Sequence, residues 1–407
     1  MTSSSNYSGS GVRGPALLVL ACLLGGCGGP GRATVPDPNT ATAAPKRPRI
    51  ALYPPQNLSG RPAPLREIEE GLELTLRSQG LDVVAGDAIR RVLAVHRIRY
   101  TGGLDRQAAR AMREDLGVDA VLVTSVQFHD PAFPPRFAMD TRLVSTGDPP
   151  VILWEDGFAR GGMDSPGVFG LTVVRGMDMM RPIGLNRLGD SLVAFLDGKV
   201  APRPDCGAIR PKVIHRSRSL DGPRGKTVAV LPFVNQTERR DAADAVALEV
   251  VRELMATGRF AVVEPGLVRA ELLEKRIIVE GGASLDTARV MGAGLKADIL
   301  MAGYVREYKD LPGLSGPPRV ELTVYAIDGK TGEVLWWSNS RSRGDDGVFF
   351  FGIGRVSTAA ELACGLGRGI AERMAGDPGA EAGGTKDPRA KAAPEASEDA
   401  ATRSKTP

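Results

Sequence analysis

The sequence predicts an α/β protein made of two tandem copies of one mixed-sheet domain, with helices packed on each sheet. Three observations carry this. Residues 228–231 form a short apolar, β-branched run that Pro232 ends; Asn235, Gln236 and Thr237 mark a loop, and a helical pattern follows. A weaker copy of the same stretch, residues 50–60, stands 178 residues earlier. Matches then continue in register: Arg110, Met112, Leu116 and Asp119 pair with Arg289, Met291, Leu295 and Asp298 at a constant offset of 179. Leu153-Trp154 pairs with Leu335-Trp336, and Gly167-Val168-Phe169 with Gly347-Val348-Phe349. A period near 180 is a domain duplication, since solenoid repeats are far shorter.

Taken in order, residues 1–27 read as a lipoprotein signal peptide. Arg13 supplies the positive start, Ala16 to Leu24 a short apolar core, and Leu24-Gly25-Gly26-Cys27 is similar to a bacterial lipobox. Cys27 is the expected lipidation site; Val19-Leu20-Ala21-Cys22 is the rival, with a shorter apolar run ahead of it. Gly28, in place of an Asp, leans towards the outer membrane. Several acyl chains on one cysteine make a stable anchor. Residues 28–47 are rich in Pro, Ala, Thr and Gly and read as a disordered tether, reaching roughly 60 Å when fully stretched.

The first domain, residues 48–202, is the more divergent copy. Its first strand is 50–53. Leu65, Ile68, Leu72 and Leu76 then mark one helix face, with Gly80 just past its end. Strand 81–85, helices 87–95 and 105–116, and a buried strand 120–128 follow. A hairpin pairs 136–145 with 151–155 around Thr146-Gly147-Asp148, and helix 185–196 closes the domain. Residues 203–226 read as a basic, solvated linker; a contact with anionic headgroups or wall polymer is the alternative.

The second domain, residues 227–375, repeats the order. Ala243, Ala247, Val250 and Leu254 form the helix face, capped at Gly258. Strand 260–263, helix 267–275, and a helix opened by Ser284 with Asp286 in its first turn follow. Strand 298–308, a hairpin of 320–328 with 333–340 and helix 356–374 complete the copy. Residues 376–407 read as a disordered tail.

The stretches VAVLPFVNQT, FAVVEP, LDTARVMGAGLKADILMAGYV and VYAIDGKTGEVLW resemble a family of envelope proteins. It includes the curli-secretion channel lipoprotein CsgG, the TolB amino-terminal domain, the flagellar lipoprotein FlgO and the lipoprotein activators of penicillin-binding proteins. The resemblance implies a periplasmic domain that works by binding envelope proteins, often as an assembly factor and sometimes as a homo-oligomer. An oligomeric channel subunit of the curli-secretion type is the alternative. The turn at 329–332 and the connection at 309–319 are, however, too short for membrane hairpins, whose strands need about 9–11 residues each.

No catalytic set is visible, and the chain reads as no enzyme, with no cofactor. The three histidines lie far apart and no CxxC pair occurs, which argues against a metal site. A net charge of +4 with no basic, aromatic-laced stripe argues against nucleic acid. The glycine-rich pieces at 292–294 and 365–367 do not follow a strand as a phosphate loop would. Candidate contacts with a partner or membrane are Phe349, Phe350 and Phe351 in a glycine-flanked loop, for which buried packing at the sheet edge is the alternative, and Trp337, whose neighbour Trp336 points to the opposite face. Cys206 and Cys364 remain after processing; they either form a disulfide or are two unrelated buried thiols.

Overall fold

The computed structural model describes residues 47–164, 173–199, 206–279, 282–311, 316–348 and 354–376. Cys22, Cys27, Phe349, Phe350 and Phe351 lie outside the described residues, as do most of the tether and tail.

The first copy runs β1 (Ile50–Leu52), β2 (Gln56–Asn57), α1 (Leu65–Ser78), β3 (Val83–Val84), α2 (Asp87–Val95), α3 (Arg106–Leu116), β4 (Ala120–Asp130), β5 (Arg136–Ser145), β6 (Ile152–Gly161) and α4 (Met177–Leu196). After β7 (Lys212–Arg216), the second copy runs β8 (Lys226–Val230), β9 (Val234–Asn235), α5 (Ala242–Ala256), β10 (Phe260–Val262), α6 (Pro265–Glu274) and α7 (Leu285–Leu295). It ends with β11 (Ile299–Lys309), β12 (Arg319–Asp328), β13 (Val334–Arg343) and α8 (Ala359–Ala375).

Both sheets are mixed and share one topology. In the first the order is β3-β1-β4-β5-β6, with β2 paired to the far end of β4. In the second it is β10-β8-β11-β12-β13, with β9 on β11. The central strand is parallel to its first neighbours, and the last three strands form an antiparallel meander. One difference sets the second sheet apart. The joint between the copies is not wholly solvated linker, because Lys212–Arg216 adds β7 antiparallel to the edge of β13. This pairs backbone groups that an edge strand would otherwise leave open.

Small side-chain devices recur with the duplication. Asn57 Oδ1 accepts from the Ser59 backbone N–H at 3.0 Å while its amide donates to Arg61 O at 2.7 Å. Asn235 does the same with Thr237 at 3.1 Å and Arg239 at 2.7 Å. The Asp119 carboxylate accepts from the Arg49 N–H at 2.8 Å, and Asp298 from the Thr227 N–H at 3.0 Å, tying each central strand to the first. These aspartates serve the turn. Ser284 caps α7 by accepting from the Thr287 N–H, and Gly80 and Gly258 take the left-handed conformation after α1 and α5. Helix α4 starts eight residues earlier than its sequence pattern predicts (Met177 against Leu185), since buried Met180 outweighs the break signal of Pro182.

Helices pack on both faces of each sheet. Helices α1 and α4 bury Leu72, Leu76, Leu188 and Leu192 on one face of the first sheet, and α2 and α3 pack Ile89 and Met112 on the other. In the second sheet α5 and α8 cover the first of these faces, burying Val250, Leu254, Leu366 and Ile370; α6 and α7 cover the other with Val268 and Met291. From Arg47 onward the chain forms one compact unit. The reason is that α5 and α8 also pack outward, onto the β5–β6 face of the first sheet.

Candidate functional site

That contact surface gathers the chain's most unusual side chains. On the first copy, Ala138, Asp140 and Arg142 alternate along β5 and point away from the α1–α4 core, towards α5, α8 and the start of α6. Arg142 and Glu264 are both fully buried and paired at 3.2 Å across the interface. Glu264 caps α6 by accepting from the Gly266 N–H, and also accepts from the Leu104 N–H at 2.9 Å. Arg142 further donates to Gly102 O. The backbones come so close here that a Cβ on Gly266 would sit 2.3 Å from Leu104 N. Glycine at that position lets the two backbone segments touch.

A second cluster lies alongside. Arg252 of α5 pairs with Asp140 at 3.2 Å, with Glu253 at 3.3 Å and with Glu249. Arg368 of α8 pairs with Glu253 at 2.9 Å and donates to Cys206 O. Cys206 and Cys364 are disulfide-bonded, Cα atoms 6.0 Å apart, which ties the segment before β7 to α8. A third contact is made by Arg239, which donates to Leu58 O at 2.8 Å and to Gln127 O of the first copy. Its guanidinium stacks over Tyr308 at 4.4 Å.

The acids outnumber the arginines, and burial acts on them accordingly. No other side chain or backbone donor reaches either Glu155 carboxylate oxygen or Asp140 Oδ2, and the two carboxyls lie against each other. Burial, then the neighbouring Asp140 charge, raises Glu155 well above the usual carboxylate range. Burial pushes Glu249 up to about 7, against the pull of Arg252. Burial alone would lower Arg252; Glu249, Glu253 and Asp140 outweigh it and raise it.

A carboxyl raised in the folded state stabilises the fold below its unfolded value and loses that contribution as pH rises through the folded value. For Glu249 the window is pH 4.5 to about 7. Unfolding free energy is expected to fall across it by on the order of 3 kcal/mol. Urea titrations at several pH values check this, and Glu249→Gln is expected to flatten the slope.

This is structural chemistry, with its charges consumed in holding the copies together. A cavity of about 450 Å³ opens beside it, lined by Arg160, Arg187, Glu249, Glu361 and Cys364 among others. The histidines stay apart. His96 pairs with Asp115 at 2.8 Å on α2 and α3, His215 bonds Val334 O, and His129 is lowered chiefly by burial. Among the described residues, the acids and cysteines that come within metal-ligating reach are Cys206, Glu253 and Cys364, where the sulfurs are already bonded to one another.

Trp337 is 47% exposed and stands opposite Tyr325 on the outer face of the second sheet, whereas Trp336 is fully buried and donates to Ser338. Phe349, Phe350 and Phe351 lie outside the described residues. Sequence reasoning missed the interface pairs Arg142–Glu264 and Arg252–Asp140. Their signal was an arginine and an aspartate inside a strand that otherwise reads as buried. Among the described residues, no helix is long and apolar enough to cross a membrane.

No family model matches the chain, and no curated protein matches it. Among solved structures, the PelC dodecamer from Paraburkholderia phytofirmans is 22% identical over 38% of this chain and 89% of that chain, with a TM-score of 0.27. The lipoprotein GNA1162 from Neisseria meningitidis is 16% identical over 31% of this chain and 86% of that chain, at 0.24. LpoB from E. coli is 18% identical over 30% of this chain and 58% of that chain, at 0.22. At these scores the likenesses carry no argument about function.

Proposed function

We propose that the chain is an outer-membrane-anchored periplasmic lipoprotein that acts, without catalysis, as a binding or assembly factor for an envelope complex. The observation that carries the location is the Cys206–Cys364 disulfide behind a leader ending Leu24-Gly25-Gly26-Cys27. Such a bond belongs to an oxidising compartment, and the leader supplies a route and an anchor. The binding role is supported by what the buried arginines do: Arg142, Arg252 and Arg368 are engaged with carboxylates and backbone at the junction of the copies, as a scaffold needs. The tight β12–β13 turn, closed by Gly332 N–H to Asp328 O at 3.0 Å, favours this reading over the curli-type channel.

Fractionation of cells expressing the full chain tests the anchor. Wild type and Cys22→Ser are expected in the outer-membrane fraction, carrying labelled palmitate. Cys27→Ser is expected to lose the label and leave that fraction. Cys27→Ser that stays lipidated and membrane-bound would overturn the assignment.

A further inference from the structure

The duplication makes the interface between the copies a template. On the first copy, α5, α8 and the start of α6 cover the β5–β6 face and the loop between α2 and α3. On the second copy the equivalent face is β12–β13 with the loop between α6 and α7, and among the described residues nothing covers it in the same way. Trp337 is 47% exposed there and Ile278 79%.

Strand register fixes the equivalences. Arg142 stands opposite Glu155 across β5 and β6 as Tyr325 stands opposite Trp337 across β12 and β13. Asp140 faces Ser125 as Thr323 faces Tyr304. Gln56 corresponds to Val234 at an offset of 178, and Arg99 and Tyr100 correspond to Ile278 and Val279 at 179, the offset that left-handed Arg97 and Arg276 share. The covered face is thus charged and polar where the open face is aromatic and aliphatic. This is the reverse of what exposure to water favours. A groove of about 490 Å³, lined by Phe233, Leu273 and Ile278 among others, continues the patch.

The other end of the chain's stack shows what does not fit this face. Ala245 and Leu248 of α5, which are buried between the copies, correspond to Glu67 and Glu70 of α1 at the same offset, both exposed. At these two positions a second molecule would set carboxylates where the interface between the copies has apolar side chains, beside exposed Leu74, which disfavours continuing the stack with another copy of this chain.

We infer that the open face of the second copy is a docking surface for a helix of a different protein, apolar on the side it presents. This helix takes the place that α5 and the start of α6 take on the first copy. Trp337 and Tyr325 supply the anchor, as residue types that dominate such contacts. Arg306, Arg341, Glu307 and Glu321 form a mixed polar rim at the far end of the same strands. The inference rests on the binding-factor reading and names the surface and the partner's chemistry.

Photo-crosslinking in native cells tests it, with benzoylphenylalanine replacing Ile278, Trp337 or, as control, Glu70 in the full anchored chain. The expected result is that Ile278 and Trp337 positions crosslink to one segment of a second protein, with apolar residues at helical spacing, and Glu70 does not. Adding Trp337→Asp, or the milder Asn339→Lys two residues along β13 opposite Thr323, is expected to cut the Ile278 crosslink at least tenfold with the unfolding midpoint kept. Crosslinks to another copy of this chain, to lipid or to a segment without that spacing overturn the proposal, as does no crosslink. Membrane fractionation of the same cells reads the anchor separately, so loss of the crosslink with anchorage kept overturns the surface alone.

Discussion

Arg252→Ala is expected to destabilise the protein by about 3–5 kcal/mol, the cost of leaving buried charges without their partner. The guanidinium is 4% exposed and meets Asp140 of the first copy and Glu249 and Glu253 of its own helix. Removing it sets three carboxylates against each other where each is at most 4% exposed. Chemical denaturation at neutral pH measures the loss. A control separates charge from packing: Glu249→Leu with Arg252→Met keeps the volume filled and leaves two carboxylates instead of three, and is expected to recover part of the stability. Equal loss in both variants would mean that shape, rather than charge, holds the copies at this point.

Cys206→Ser is expected to lower stability by about 2–5 kcal/mol, and Cys364→Ser by the same amount. The bond closes a loop across a sequence separation of 158 residues, so it limits the unfolded chain strongly. It also holds the segment before β7 where Ile209 N–H donates to Gly365 O at 2.8 Å and Arg368 reaches Cys206 O. Denaturation midpoints of wild type with and without reductant check the size of the effect. The reduced wild type should match the serine variants.

Much of the fold could be read from the chain because its signals are local and repeated. Val228–Leu231 with Pro232, the Gly80 and Gly258 ends and the Ser284 cap are each decided by nearby residues, and the second copy corroborates the first. The interface was less legible, since its pairs are far apart: Arg142 and Glu264 lie 122 residues from each other, and Asp140 and Arg252 112. Periodicity does not report such partners. A hint existed in α5, which is apolar nearly all round (Ala242, Ala245, Leu248 and Val251 besides the predicted face) and therefore had to be buried on two sides. Strand β7 was hidden by its charges. Lys212, His215 and Arg216 read as solvated linker, and only the open edge of β13 makes them a strand.

The central claim is that the two copies unfold as one body, locked by the buried charge cluster, the Arg239 stack and the disulfide. Differential scanning calorimetry of the full chain near pH 6 tests it most directly. One endotherm, with calorimetric and van't Hoff enthalpies in agreement, is the predicted result; reduction and Arg252→Ala should lower its midpoint. Two separate endotherms in the oxidised wild type, with one unaffected by either change, would contradict it.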